Sequence, residues 1–190
     1  MNKFICCVLM FMLSFSIHAQ QIERYLIKTE IGDIELEVYP EKAPITVGNF
    51  RAYVEKGLYS KSSFFRVCTP ENESDRDIKI EVIQGGDVPD SLMLAPIPIE
   101  TSEETGIKHT NGTLSMARLG PNTAQSSFFI CINARPELDY MGKRNPDGFG
   151  FAAFGMVTKG MEIVRKIQSG KEVDQYLVQP VKIQCIEKID

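Results

Sequence analysis

The chain has 190 residues, of which 43% are hydrophobic and 24% charged, and its formal net charge is −4 at neutral pH. This composition suits one globular domain with an ample core. An acidic chain without a run of lysine or arginine lacks the positive surface that nucleic-acid binding requires, so we expect no nucleic-acid partner. Only two histidines are present, and no cysteines and histidines have the spacing of a zinc site. Hydrolytic chemistry that depends on a histidine base is therefore disfavoured.

The first 19 residues have the pattern of a secretory signal peptide. Lys3 gives a positive start, an apolar run extends from Ile5 to Ile17, and Ala19 is a small residue at a plausible cleavage point. The apolar run is too short to span a bilayer comfortably, although an uncleaved anchor is the alternative. We expect residues 20–190 to form one mature domain that is periplasmic or secreted and not inserted in a membrane. Loss of Lys3 would change the net charge from −4 to −5.

The first half of the chain predicts short strands and one helix. Residues 22–29 and 33–39 alternate apolar and polar side chains around a short turn, which favours a hairpin. A helix is predicted from Pro44 to a C-terminal cap at Gly57. The segments 62–67 and IKIEVIQ are predicted strands. Between them, the polar and acidic residues 69–79 predict an exposed loop.

The second half continues this pattern with one further helix. Residues 88–106 contain three prolines and predict a long surface connection, and residues 112–131 predict two strands around a Gly-Pro-Asn loop. A helix over 159–168 lies between predicted strands at 151–157 and 181–189. About eight strands and two widely separated helices indicate an antiparallel barrel or sandwich with helices at its open ends.

Strand periodicity predicts which side chains lie together. Residues two apart in a strand share a face, so we expect Phe64 and Arg66 on one face and Phe65 on the other. If the strands are neighbours, one surface of the sheet would present Arg66, Gln84 and Phe129. A strand arginine more often extends past a sheet edge into solvent, and Gln84 precedes two glycines that could serve a tight turn alone.

After the expected loss of residues 1–19, three cysteines and one histidine remain in the chain. We interpret them as structural. Cys68, Cys131 and Cys185 are an odd number, which excludes a complete disulfide framework but leaves one bridge open. Cys131 and Cys185 lie in strand-like apolar runs, where a buried thiol is usual. His109 precedes a predicted strand and has no catalytic motif around it.

Several motifs, in order, resemble those of the cyclophilin-type peptidyl-prolyl isomerases. The resemblance covers about residues 24–188 and includes FFRV (64–67), IQGGD (83–87), KHTNGTLSMA (108–117), GPNTAQSSFFI (120–130), LD (138–139) and FAAFGMV (151–157). It implies a mainly β fold, an eight-stranded antiparallel closed barrel capped by two α-helices. It also implies an enzyme that accelerates rotation about X-Pro bonds during the folding of extracytoplasmic proteins. The implied partners are proline-containing peptides and unfolded segments; no metal, ATP or redox cofactor is implied, and we expect a monomer.

The resemblance also assigns expected roles to residues. Arg66 matches the catalytic arginine of the family, and Gln84 the glutamine that supports it and the substrate carbonyl. Phe128 would face the core, and Phe129 would face outward to form the floor of a proline pocket. The expected substrate-binding residues are Phe64, Val82, Ala117, Arg118, Phe129, Leu138 and Phe151.

Some positions depart from the family pattern. Phe65 replaces a frequent histidine, Glu81 stands at a position that is usually an apolar pocket wall, and Ser127 replaces a glutamine of the groove. Loop 69–79 is also longer than usual, and Glu137 stands where some members carry a tryptophan. Glu81, Ser127 and this acidic loop favour an alternative function, a non-catalytic chaperone or assembly module that binds proline segments on the same fold.

Overall fold

The computed structural model describes residues 21–190, so the predicted signal peptide lies outside the described residues. These residues contain nine strands and three α-helices. The helices are α1 (Pro44–Glu55), α2 (Ser102–Thr105, a single turn) and α3 (Met161–Gln168). The strands are β1 (Glu23–Thr29), β2 (Gly32–Val38), β3 (Ser63–Cys68), β4 (Val82–Gly85), β5 (Thr113–Met116), β6 (Phe128–Cys131), β7 (Ala153–Lys159), β8 (Glu172–Val173) and β9 (Tyr176–Ile189).

The strands form one antiparallel sheet in the order β1-β2-β7-β5-β6-β4-β3-β9-β8, and a further pairing of β1 with β9 closes it. The predicted eight-stranded barrel is therefore confirmed. The short strand β8 is an addition that pairs with the start of β9. The prediction placed the last strand at 181–189, but β9 is 14 residues long and begins at Tyr176. This longer strand brings its first residues beside β3.

The helices at 44–57 and 159–168 were predicted, but α2 was not. Thr101 caps α2, and Glu104 completes a capping box, a pattern that is visible in the sequence as Thr-Ser-Glu-Glu. The same connection also supports α1, since the carboxylate of Glu100 accepts hydrogen bonds from the backbone N–H groups of Ile45 and Thr46. Residues 88–106 thus form part of the packing around α1 as well as connecting two strands.

Both long helices bury their apolar side against the barrel interior. Phe50 of α1 is fully buried and contacts the rings of Tyr25, Tyr59, Phe128 and Phe154 at centroid distances of 5.3 to 6.2 Å. Val164 and Ile167 of α3 belong to the same cluster. These side chains fill the barrel interior at its open ends. Each buried Phe or Ile contributes about 1.5–3 kcal/mol to folding, so their burial stabilises the closed barrel.

The sheet carries a second, smaller apolar cluster on its outer face. Phe128 and Ile130 of β6 lie in the barrel core, whereas Phe129 and Cys131 lie in the outer cluster. The outer cluster consists of Cys68, Ile80, Val82, Phe129, Cys131 and Leu138, with Ala117 and Phe151 packed against it. Two adjacent phenylalanines therefore occur in β6 because loops cover this part of the outer face.

A β-bulge in β3 changes the predicted placement of its side chains. Phe64 pairs with Gly85 and Arg66 pairs with Gln84, so Phe65 has no partner in β4 and is the extra residue of the bulge. Phe64 consequently faces the core, where its ring contacts Phe128 at a centroid distance of 5.9 Å. The expectation that Phe64 and Arg66 share a face is wrong, because strict alternation fails at a bulge.

The described residues include no helix with the length and apolar character needed to cross a membrane.

Candidate active site

One row of paired residues crosses the outer face of the barrel. Ser115, Phe129, Gln84, Arg66 and Tyr176 are successive register partners on β5, β6, β4, β3 and β9. Directly paired residues of adjacent strands project from the same face of a sheet. The prediction that Arg66, Gln84 and Phe129 lie on one surface is confirmed, and the bulge at Phe65 is what keeps Arg66 on that face.

The guanidinium of Arg66 is held by two neutral amide side chains. Its Nη1 donates to Oε1 of Gln84 at 3.0 Å, and its Nε and Nη2 donate to Oε1 of Gln175 at 3.0 and 2.5 Å. No carboxylate of residues 21–190 pairs with this group. Of the five N–H donors of arginine, two remain available. The site therefore presents a fixed positive charge with free donors.

Two adjoining cavities lie on either side of Arg66. The larger has a volume of about 340 Å³ and is lined by Phe65, Gln84, Gln125, Ser126, Ser127 and Tyr176, among others. The smaller has a volume of about 180 Å³ and is lined by Ile80, Val82, Phe129, Leu138 and Phe151, among others. Both cavities share the side chains of Arg66, Ala117 and Arg118.

These two cavities bring together every predicted site residue except one. Phe64 lies in the barrel core with no exposed surface, so its expected place in the substrate groove is corrected. The ring of Phe64 packs against that of Phe128, so Phe64 stabilises the barrel core beneath the site. The bulge that turns Phe64 inward is the physical reason for this difference.

The floor of the smaller cavity is a layered aromatic arrangement. The rings of Phe129 and Phe151 meet edge to face at a centroid distance of 5.2 Å. Behind them, the imidazole of His109 stacks on Phe129 at 6.1 Å with an interplanar angle of 16°. Edge-to-face and offset arrangements of this kind are favoured by the quadrupoles of the rings. The cavity thus has a rigid apolar floor.

His109 is part of a hydrogen-bonded relay that holds this floor. The carboxylate of Asp139 accepts from Nδ1 of His109 at 2.8 Å and from its backbone N–H at 3.0 Å. The other ring nitrogen lies 3.0 Å from the hydroxyl of Ser115. Burial by itself would raise the pKa of Asp139, but the hydrogen bonds from His109 hold this pKa below its ordinary value. The structural interpretation of His109 agrees with these contacts.

The order of groups in this relay is that of a Ser-His-Asp triad, but its burial excludes such a role. His109 is 1% exposed and Ser115 is 0% exposed, so neither side chain can contact a substrate. A nucleophile must reach the bond that it attacks. The relay therefore stabilises the site and does not perform hydrolysis.

Arg118 forms part of the wall between the two cavities. Its Nη1 and Nη2 donate to the two oxygens of Asp147 at 2.7 and 2.8 Å, and its Nε donates to the carbonyl of Gly150 at 2.8 Å. The guanidinium also lies 5.2 Å from the centroid of the Phe151 ring, in a cation–π arrangement. The hydrogen bonds from Arg118 lower the pKa of Asp147. A charged Asp147 keeps this wall in place at neutral pH.

Loop 69–79 is anchored to the site by a buried ion pair. Glu73 is 1% exposed and pairs through both of its oxygens with Arg144, which also donates to the carbonyl of Ile78. The carboxylate accepts a further hydrogen bond from the N–H of Ile80 at 2.8 Å. The prediction that this loop is simply exposed is wrong at Glu73. Because Ile80 and Arg144 both line the smaller cavity, the loop supports its wall.

The departures from the family pattern have distinct structural outcomes. Glu81 pairs with Arg135 and lines neither cavity, while the neighbouring Ile80 provides the apolar wall. Ser127 does line the larger cavity. Phe65 is displaced by the bulge and stacks on the ring of Tyr176 at a centroid distance of 6.3 Å. The acidic side chain at 81 therefore leaves the cavities unaffected.

Sequence reasoning missed the residues that reach the site from distant parts of the chain. Gln175 and Tyr176 lie before the predicted last strand, and Asp147 lies in a loop that carried no strand or helix pattern. Gln175 carried no signal in the sequence, because Asp174-Gln175 forms a two-residue turn without the glycine that usually marks one.

The site combines an apolar cavity with the guanidinium of Arg66, which has no carboxylate partner among residues 21–190 and keeps two free donors. Among residues 21–190, no group of three His, Cys, Asp or Glu side chains is placed to hold a metal ion. A small apolar ring can occupy the smaller cavity while its neighbouring peptide group contacts Arg66. Such a site can bind and polarise a peptide bond without a covalent step.

Comparison with known proteins identifies the family. The family described as cyclophilin type peptidyl-prolyl cis-trans isomerase matches residues 24–188. A peptidyl-prolyl cis-trans isomerase of Acinetobacter baylyi is 35% identical over 158 residues, which cover 82% of this chain and 77% of the relative. Peptidyl-prolyl cis-trans isomerase B of Escherichia coli is 34% identical over 143 residues, covering 74% and 80%.

A solved structure shares the fold. The crystal structure of a Cryptosporidium parvum cyclophilin type peptidyl-prolyl cis-trans isomerase has a TM-score of 0.72 and 23% sequence identity, covering 90% of this chain and 99% of its own. At that identity the likeness bears on the fold, and the sequence matches bear on the activity. The chain therefore belongs to the cyclophilin-type peptidyl-prolyl cis-trans isomerases, a family of isomerase enzymes.

Proposed function

We propose that Arg66 is the catalytic residue of this isomerase and that its substrates are X-Pro bonds in extracytoplasmic proteins that are folding. The observation that carries the first part is the position of Arg66 between the two cavities, held by neutral amides and free of any described carboxylate. In this proposal the proline ring lies over Phe129 in the smaller cavity. The residue before proline then lies along Ala117 and Arg118.

The physical chemistry of the reaction suits this arrangement. Rotation about a peptide bond has a barrier of about 18–20 kcal/mol, because the nitrogen lone pair is delocalised into the carbonyl. In the twisted transition state the lone pair is localised on the prolyl nitrogen, where a guanidinium N–H can interact with it. The same interaction is weak in the planar ground state, so Arg66 stabilises the transition state selectively. A guanidinium suits this role because it carries a positive charge and offers several donors in a fixed plane.

The test is cis-to-trans isomerisation of a short X-Pro peptide by the chain that starts at Gln20. Arg66→Ala is expected to lower the activity at least about tenfold, equivalent to about 1.4 kcal/mol of barrier. The matched control is Arg24→Ala, which removes an exposed arginine of β1 that lines neither cavity. Equal activities of wild type and Arg66→Ala, with unchanged circular dichroism, would refute the role of Arg66.

The extracytoplasmic context is supported by the N-terminal sequence. The charged start, the apolar run and Ala19 match a cleavable signal. Expression of the full chain in a bacterial host tests this point, since export with cleavage yields a protein whose first residue is Gln20. Recovery of the uncleaved chain from the cytoplasm would contradict the proposed location and would leave the role of Arg66 unaffected.

The alternative of a non-catalytic proline-binding module loses one of its supports. Glu81 favoured that alternative as a charge in the pocket wall, but its carboxylate pairs with Arg135 outside both cavities. Ser127 remains in the larger cavity, where it removes a longer side chain from the groove. We infer that Ser127 affects which residues are accepted around proline. The test is to compare wild type and Ser127→Gln in their isomerase activity on several X-Pro peptides that differ in the residue before proline.

A further inference from the structure

We propose that Gln175 is a positioning residue that holds the guanidinium of Arg66 in its working orientation. The inference rests on the proposed role of Arg66 and adds to it a second, distant support. Gln175 lines neither cavity, so it acts through Arg66 and does not contact the substrate. Gln84, by contrast, lines the larger cavity beside Arg66.

The contacts fix all three nitrogens of the guanidinium. A single oxygen of Gln175, Oε1, accepts from Nε at 3.0 Å and from Nη2 at 2.5 Å. On the opposite side, Oε1 of Gln84 accepts from Nη1 at 3.0 Å. With hydrogen bonds on both sides, rotation of the planar group breaks at least one of them. Because both acceptors are neutral, the positive charge remains available to the substrate.

Gln175 is itself held at three points besides its contact with Arg66. Its backbone N–H donates to the carboxylate of Glu172 at 2.6 Å, and its carbonyl accepts from the N–H of Val67 at 2.8 Å. Its side-chain Nε2 donates to the carbonyl of Asn72 at 3.2 Å. The amide therefore has a defined orientation, with the oxygen toward Arg66 and the nitrogen toward loop 69–79. A side chain anchored in this way can impose its geometry on its partner.

The backbone at Gln175 strengthens the case that its side chain is used. Asp174 and Gln175 form the two-residue turn between β8 and β9, with φ values of 51° and 72°. A turn with positive φ at both central residues favours glycine at the second, because glycine has no Cβ to clash there. Glutamine is a poor residue for this backbone. Its contact with Arg66 supplies a reason for its presence that the turn does not.

The variant Gln175→Gly separates positioning from structure, since it removes the amide while suiting the turn. We expect kcat/KM for an X-Pro peptide to fall roughly ten- to a hundredfold, mainly through kcat, because misplacement of a catalytic group has effects of this size. The thermal midpoint is expected to stay equal or to rise. Asp174→Gly is the matched control: it makes the same change one residue earlier and is expected to retain full activity. Gln175→Asn, which tolerates positive φ but is one methylene shorter, is expected to lose activity like Gln175→Gly.

A double variant and a spectroscopic signal complete the test. On an Arg66→Ala background, Gln175→Gly is expected to have no further effect, since both changes remove the same function. In the wild type, the Nε–H resonance of Arg66 is expected to be sharp and slow to exchange, and Gln175→Gly should broaden it.

The outcomes are distinguishable. Full activity of Gln175→Gly beside an inactive Arg66→Ala, or an additive loss in the double variant, overturns the positioning role and leaves the proposed function standing. Full activity of Arg66→Ala overturns the proposed function itself. An unchanged Nε–H resonance in Gln175→Gly also overturns the positioning role, whatever the activities are.

Discussion

Removal of the buried charge at Glu73 is expected to destabilise the whole protein, although Glu73 lies in a surface loop. In Glu73→Gln the side-chain volume is kept, but Arg144, whose side chain is 8% exposed, loses its counter-charge. Loss of one partner of a buried ion pair costs about 3–5 kcal/mol, because the remaining charge stays desolvated. For a domain of this size, each kcal/mol lowers the thermal midpoint by about 2–4 °C, which predicts a fall of about 6–20 °C.

Urea unfolding followed by circular dichroism measures this change directly. The matched control is Glu71→Gln, which removes an exposed carboxylate two residues away in the same loop. Exposed substitutions of this kind change the free energy of unfolding by no more than about 0.5 kcal/mol. Equal urea midpoints for the two variants, with an unchanged slope, would refute the reasoning that Glu73 anchors the loop. They would return loop 69–79 to the fully exposed segment that its composition predicts.

Three further predictions concern acid stability, a close backbone contact and thiol reactivity. The folded-state pKa of Asp139 lies below its ordinary value of 3.8. The ionised carboxylate therefore stabilises the fold above that pH, and this stabilisation is lost as the pH falls through the folded-state pKa. Between about pH 6 and pH 2, the urea midpoint should fall more steeply for wild type than for Asp139→Asn. Gly150 has a φ of 64°, and a Cβ there would lie 2.5 Å from the carbonyl oxygens of Leu138 and Asp139. Gly150→Ala should therefore lower both the stability and the isomerase activity. The control Gly148→Ala has a similar φ but a nearest contact of 3.6 Å, and it should leave the activity unchanged. Burial raises the pKa of Cys68 to about 11 and also raises the pKa of Cys131, whereas Cys185 is partly exposed. Alkylation at about pH 8 should therefore modify one thiol in the native chain from Gln20 and three in urea. Modification of three thiols in the native chain would contradict the burial of Cys68 and Cys131.

Local sequence patterns were sufficient for most of the fold. Alternation at 22–29 and 33–39 predicted β1 and β2, and the signals at Pro44 and Gly57 predicted the helix α1. These patterns succeed because strand and helix periods depend on neighbouring residues. The placement of Phe128 in the core and of Phe129 in the outer cluster was predicted from the resemblance to the family. The residues alone did not explain why both faces of this strand carry a phenylalanine.

The details of the site required the tertiary structure. The bulge at Phe65 is set by the pairing of β3 with β4, so strict alternation misplaced Phe64. Gln175 is 109 residues from Arg66 along the chain, and Arg144 is 71 residues from Glu73. Contacts over such separations depend on strand register and on the shape of turns, which local residue order does not specify. The sequence, with the family resemblance that it carries, therefore determined most of the strands, the two longer helices and the importance of Arg66, Gln84 and Phe129. The closed barrel decided that these three residues form one row and which distant side chains hold Arg66 in place.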